Sequence, residues 1–251
     1  MSEHHYRKKI FFIYPNSYIR NEIIFPLIDL EYETYVIEDH KLIPIIQNNY
    51  SGSLLLINID EKLTPQQWEK QILSTPDLEI GVMTYNENKN TELKYKSLYK
   101  ISCGYNVLRK RPELLLENLI KTLDSFTVNE KRMFIRTRFK DMAANFELHH
   151  TGQRRTGFIH DISSIGMTLV FKKPLKIEKN SLLKDISLYI HESVIVASGI
   201  FMGASRNEND SIVYVILFDK TMKESSRSRI RLVINRDLQK KLINELKAPV
   251  P

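Results

Sequence analysis

The sequence predicts an α/β domain followed by an all-β domain. The expected architecture is a doubly wound, largely parallel sheet, then a six-stranded antiparallel β-barrel with a C-terminal helix. Three observations carry this reading. In residues 1–126, short apolar runs alternate with stretches of helical character, the pattern of successive βα units. From Phe139 onward, strand-like segments recur roughly every 8–12 residues with turn signals between them and no long helix among them. Charge divides in the same way: residues 1–130 carry 15 Lys and Arg against 18 Asp and Glu, net −3, whereas residues 131–251 carry 22 against 12, net +10. A split of this kind implies two units, the second of which either meets an anion or is kept soluble by its charge.

In the first half, "KKIFFIYP", "ETYVIED", "GSLLLINID" and "EIGVMTY" are nearly continuous apolar runs, as expected of parallel strands buried on both faces. "YKISCGYNVL" is a weaker fifth strand. In "TPQQWEKQIL", Thr64 supplies a helix cap and Pro65 suits the first turn, and Trp68 is expected in the core. "RPELLLENLIKTLDSF" places Leu115, Leu119, Ile120 and Leu123 on one helical stripe. In the second half the strands are "ANFELHH", "RTGFIHDIS", "GMTLVF", "DISLYIH", "SVIVASGIFMGA" and "SIVYVILFD", with clear alternation at Ile186, Leu188 and Ile190. Thr151-Gly152 and "RNEND" mark turns. "RSRIRLVINRDLQKKLINEL" repeats Ile230, Ile234, Leu238 and Leu242 every four residues, a helix that plugs or flanks the barrel. The expected boundaries are 1–126 for the α/β domain, 127–138 for a linker, and 139–251 for the barrel with its helix.

With 42% hydrophobic and 27% charged residues, the chain reads as soluble and globular. No run reaches the roughly 18 uncharged apolar residues of a membrane helix, so no membrane insertion is expected. The first residues lack a secretory cleavage pattern, and the single cysteine, Cys103, has no internal partner. Both point to the cytoplasm. His4 with His5, and His149 with His150, lack carboxylate or cysteine neighbours at metal-ligand spacing.

The first half resembles a response-regulator receiver domain in outline, but departs from it at the positions that carry chemistry. A receiver needs acidic residues after its first strand, where this chain has Tyr14 and Pro15. It needs an aspartate ending the third strand, where "LLLIN" places Asn58; Asp60 lies two residues on, and Thr84 takes the place of the hydroxyl residue. Without carboxylates the place could neither hold Mg²⁺ well nor accept a phosphoryl group. The expectation is a degenerate, receiver-like scaffold that binds an unidentified protein partner.

In the second half, Arg132 and Arg136 stand four apart, and Asp161, Ser163 and Gly166 form Asp-x-Ser-x-x-Gly. In this order, over about residues 130–240, they resemble the signature of PilZ domains. The resemblance implies a six-stranded barrel that binds the second messenger cyclic di-GMP (c-di-GMP). The chemistry agrees with that ligand. Arginine forks grip phosphates or the O6/N7 edge of guanine. A carboxylate accepts from the guanine N1 and N2 hydrogens, a serine adds a hydroxyl, and a glycine admits a close backbone or base. Arg138, two residues past Arg136, either adds to the grip or faces solvent; Arg154 and Arg155 either close over phosphates or are loop charges.

The function that follows is a non-enzymatic cyclic di-GMP receptor and effector. No cofactor is expected, and the ligand-binding residues are Arg132, Arg136, Arg138, Asp161, Ser163 and Gly166. Ligand capture at the linker would reset the arrangement of the two domains. The alternatives are a nucleic-acid-binding protein using the basic barrel, and a scaffold without a ligand.

Overall fold

The structure, a computed structural model, describes residues 9–98, 101–109, 111–126, 134–139, 144–206 and 211–248. The chain forms two compact units, Met1–Met133 with Gln239–Pro251, and Phe134–Leu238. This differs from the expected boundaries in two ways. Arg136 and Arg138, placed on a linker by the sequence, stand on a strand of the second unit. The C-terminal helix is shared: from Gln239 onward it belongs with the first unit. The rest of the expected linker, residues 127–133, lies outside the described residues.

The first unit is built on β1 (Ile10–Ile13), β2 (Thr34–Ile37), β3 (Leu54–Asn58), β4 (Glu79–Thr84) and β5 (Tyr105–Val107). Its helices are α1 (Ser17–Ile19), continued through a π turn into α2 (Phe25–Asp29), then α3 (Ile43–Asn49), α4 (Pro65–Leu73), α5 (Lys89–Leu98) and α6 (Pro112–Phe126). The strands pair in parallel in the order β2-β1-β3-β4-β5. That is the flavodoxin-like order of doubly wound folds, and it matches the receiver-like outline. Every residue of β1 and β3 is buried, which is why those runs carry no alternation. At α4, Thr64 accepts from the Gln67 amide in a capping box, Pro65 opens the helix, and Trp68 is buried.

β2 is an edge strand, and its outward Val36 amide and carbonyl are both paired by the Gln239 side-chain amide at 2.8 Å. A side chain thus satisfies the backbone groups that an open edge would expose. At the same end of the sheet, Lys9 bonds Glu33 and Tyr35, and its ammonium lies 5.0 Å from the Tyr35 ring centroid and 5.4 Å from that of Tyr50.

The second unit comprises β6 (Arg136–Arg138), β7 (Ala144–His150), β8 (Gln153–Ser163), β9 (Gly166–Phe171), β10 (Leu182–Ile190), β11 (Ser193–Arg206) and β12 (Ile212–Phe218), followed by α7 (Glu224–Lys247). The antiparallel order β8-β7-β10-β11-β12-β9 closes through the β8–β9 pairing into a six-stranded barrel, and β6 adds to β8 outside the ring. Closure leaves no free edge within the ring. The core takes residues from every strand of the ring, including Phe146, Leu148, Met167, Leu169, Ile186, Leu188, Ile190 and Ile216. From α7 it takes Ile230, Val233 and Ile234.

Burial, and then the charge of Glu33 and the hydrogen bond to it, push the Tyr35 hydroxyl pKa well up. Tyr50 is raised by burial and by its hydrogen bond to Glu245. A raised folded-state pKa stabilises the fold fully below the unfolded value of about 10, and this contribution is lost as pH rises through that value toward the folded one. The denaturant midpoint should therefore fall between about pH 9 and about pH 11, and Tyr35→Phe should flatten that fall. An unaltered alkaline profile in Tyr35→Phe would assign the loss to other groups.

Candidate functional site

The segment Ile135 to Phe139 alternates strictly. Ile135, Thr137 and Phe139 are buried, with Ile135 and Phe139 in the barrel core, whereas Arg136 and Arg138 point outward. β6 pairs with β8 so that Arg136 lies opposite Ser163 and Arg138 opposite Asp161. β8 pairs in turn with β9, setting Ser163 opposite Gly166 and Asp161 opposite Thr168. Directly opposed residues share a face of the sheet. Arg136, Arg138, Asp161, Ser163, Gly166 and Thr168 therefore occupy one outer face of the barrel wall, across three strands. The first row continues over Gly166 to Leu217 on β12 and Ile200 on β11, and Leu217 is 39% exposed.

This arrangement depends on a bulge. Between Ile159 and Asp161 the pairing with β9 skips His160, so that Ile159 and Ile162 both enter the core although they are three apart. The extra residue turns Asp161 and Ser163 to the outer face.

Asp161 is 6% exposed. One carboxylate oxygen accepts from the Thr168 hydroxyl at 2.8 Å and lies 3.3 Å from His160 Nδ1. The other lies 3.6 Å from Arg136 Nε. A carboxylate is thus held beside an exposed guanidinium, an arrangement that offers acceptors and donors together. Ser163 donates its hydroxyl to the Gly166 carbonyl at 3.2 Å and so closes the β8–β9 turn, leaving its oxygen lone pairs to accept. At Gly166 the close approach is that of β12: a Cβ there would lie 2.5 Å from the Ile216 carbonyl oxygen. The turn is braced from α7 by Arg227, which donates to the carbonyls of Ser164 at 3.2 Å and Asp219 at 2.7 Å.

Of the expected site residues, Arg136, Arg138, Asp161, Ser163 and Gly166 are brought together, and Arg132 lies outside the described residues. Arg154 and Arg155 are not brought to this face. Arg154 is seven residues before Asp161 on the same strand, about 23 Å away at the usual rise, and it pairs with Glu147 at 2.6 Å. His149 and His150 end β7. Thr168, His160 and Leu217 were not anticipated. Thr168 was within reach of sequence reasoning, since it follows Gly166 by two along a predicted strand; Leu217 is brought in only by long-range pairing.

In the first unit the receiver positions hold no carboxylate where phosphoryl chemistry needs one. The buried Asn58 side chain donates to the Tyr14 carbonyl at 3.1 Å. Asp60 accepts from the Thr84 hydroxyl at 2.7 Å and from the Tyr85 amide at 2.6 Å. Tyr14 has left-handed backbone (φ 50), and its ring packs with those of His40 and Trp68 above the sheet.

A closed six-stranded barrel with a C-terminal helix is the architecture implied by the PilZ resemblance, and the C-terminal half of the chain is similar to solved PilZ-domain proteins. The PilZ domain of YcgR from Escherichia coli with c-di-GMP is matched at 12% identity over 45% of this chain and 98% of that one, TM-score 0.39. The MrkH–c-di-GMP complex from K. pneumonia is matched at 20% identity over 46% and 57%, TM-score 0.40. Borreliella burgdorferi PlzA in complex with c-di-GMP is matched at 16% over 46% and 54%, TM-score 0.31. The matched region spans little more than half of the MrkH and PlzA chains. No protein-family profile matches the chain, and neither does any curated protein. Among the described residues no helix is long and apolar enough to cross a membrane.

Gly166→Ala should destabilise the barrel by about 1–3 kcal/mol, the usual cost of forcing an atom into filled space, because the new methyl meets backbone that cannot rotate away. Chemical denaturation checks this. A midpoint equal to that of the unaltered chain would mean that β9 and β12 separate without cost.

Proposed function

We propose that the chain is a non-enzymatic receptor for cyclic di-GMP, bound on the outer face formed by β6, β8 and β9. The observation that carries this reading is the convergence of Arg136, Arg138, Asp161, Ser163 and Gly166 on one face, from segments that are far apart in sequence. The ligand has two phosphodiester charges and two guanines. Arg136 and Arg138 supply planar donors for phosphate oxygens or for a guanine O6/N7 edge. Asp161, already oriented by Thr168, supplies acceptors for the guanine N1 and N2 hydrogens. Leu217 offers an apolar wall beside Gly166 on which a base can lie. Arg132, four residues before Arg136, is assigned to the same site.

A nucleic acid would also be drawn to a half-chain of net charge +10. The buried Asp161 carboxylate at the centre of the face disfavours that reading, because a phosphate backbone would meet repulsion where a guanine edge meets acceptors. We further assign the output to a change in the arrangement of the two units on binding, with the receiver-like unit carrying the surface for a protein partner in the cytoplasm.

Isothermal titration of cyclic di-GMP into the full chain tests the reading. Binding should be selective over cyclic di-AMP, since adenine presents an amino group where O6 should accept. Arg132→Ala and Arg136→Ala should each weaken it by at least about tenfold, as expected for loss of a charge-assisted bond. Equal affinity for the two dinucleotides, or unchanged curves in both variants, would overturn the assignment.

The rearrangement is tested by small-angle scattering with and without ligand. The profile should change on binding, and at a ligand concentration near the Kd of the unaltered chain the change should be much smaller in Arg136→Ala. Tight binding with superimposable profiles would place the output in the occupied face alone.

A further inference from the structure

Thr137 stands between the two arginines of β6 and faces the opposite way. It is 1% exposed, and its hydroxyl donates to a carboxylate oxygen of Asp237, one hundred residues on in α7. Asp237 is itself buried, and its other oxygen lies 3.5 Å from Nε2 of His191, in the β10–β11 turn. The His191 ring packs edge-on against Phe139, at the far end of the same segment. One buried carboxylate thus gathers the inner side of β6, a turn of the barrel and the C-terminal helix.

A buried carboxylate is a costly way to hold a strand. An apolar residue opposite an apolar residue would pack as well, and buried polar pairs are often less stabilising than their hydrophobic replacements. What a polar pair adds is register, because its hydrogen bond is satisfied in one alignment only. On β6 that bond adds to the register which the buried Ile135 and Phe139 already favour. The strand is three residues long and pairs with a single neighbour, and a slip by one residue would turn both arginines into the core and Thr137 outward.

Resting on the cyclic di-GMP reading above, we propose that Thr137 and Asp237 form a register pin that holds Arg136 and Arg138 on the ligand face. Both are positioning residues: they touch no ligand and act through the arginines beside them. His191 and Phe139 brace the pin from the β10–β11 turn.

The test uses the full chain and Thr137→Val, which keeps the shape and removes the hydroxyl, beside Thr137→Ser, which keeps the hydroxyl. In the absence of any ligand, hydrogen exchange of the Arg136–Arg138 amides should quicken in Thr137→Val, while those of β7 and β10–β12 stay as they were; Thr137→Ser should restore protection. Titration of cyclic di-GMP should show affinity weakened about tenfold in Thr137→Val, and recovered in Thr137→Ser. In an Arg136→Ala background the further loss from Thr137→Val should shrink to about twofold or less, because coupled residues are not additive.

Uniformly faster exchange across the barrel, or a loss in affinity that adds in full to that of Arg136→Ala, would reduce the pair to ordinary packing and overturn the proposal. If Thr137→Val does not fold, Asp237→Leu takes its place. It keeps a similar volume and removes both acceptors, and the same local quickening at Arg136–Arg138 is expected. Should the unaltered chain fail to bind cyclic di-GMP, the functional reading falls, while the exchange comparison still decides whether the pin exists.

Discussion

The barrel half depends on the registers of two strand pairs, β6 with β8 and β8 with β9, because side chains alternate with a period of two. Strict alternation from the inward Ile159 would bury Asp161 and Ser163 in the core and expose Ile162. The single extra residue at His160 reverses that parity. It places one more isoleucine inside and two polar groups outside, and both changes are favourable. The buried carboxylate meets Thr168 and Arg136 on that face instead of being desolvated without partners, and the isoleucine adds apolar area to the core at roughly 25 cal/mol per Å². The outward turn of Asp161 and Ser163 and the entry of Ile162 into the core are therefore set by one local irregularity. β9 needs no such device, since Gly166, Thr168 and Val170 alternate cleanly with Met167, Leu169 and Phe171.

Much of this was legible in the sequence. The six ring strands coincide with the six segments read from alternation and turn residues, because each is long enough, at six to fourteen residues, for a period to show. β6 was not legible. "IRTRF" alternates over five residues only, and its strand character comes from pairing with β8 rather than from its own composition, so it read as linker. The bulge was hidden for a related reason. Neither Gly nor Pro marks it, and only the pairing with β9 shows that His160 is skipped. Asp237 gave no local signal, since a charged residue in an amphipathic helix ordinarily faces water and its partner Thr137 is one hundred residues away. The spacing of Asp161, Ser163 and Gly166 was visible because all three lie around one tight turn.

The first unit shows how a sheet order can persist while its chemistry is absent. The C-terminal ends of β1, β3 and β4 converge where flavodoxin-like sheets commonly bind ligands. Here the rings of Tyr14, His40 and Trp68 pack together, and the Asp60 carboxylate is tied to Thr84 and Tyr85. Polar groups that would meet a metal or phosphate meet one another instead. The edge strand is treated with the same economy: Gln239 pairs with the backbone of Val36, and the exposed edge is covered by the end of a helix rather than by a further strand.

On the proposed reading, the pairing of Arg136 with Asp161 would give the face its selectivity. At 3.6 Å, with the arginine 62% exposed, the contact is long and open to solvent on the arginine side. A ligand can replace it at small cost, but only one of a particular kind. A bare polyanion satisfies the guanidinium and leaves the carboxylate facing added negative charge. A bare cation does the reverse. A molecule that presents donors and an anionic or acceptor group within a few ångströms of each other meets both partners at once, and the exchange is then favourable on both sides. A guanine joined to a phosphodiester is such a molecule. On the proposed reading, the carboxylate that makes the face less basic would separate one phosphate-bearing ligand from the many others in a cell.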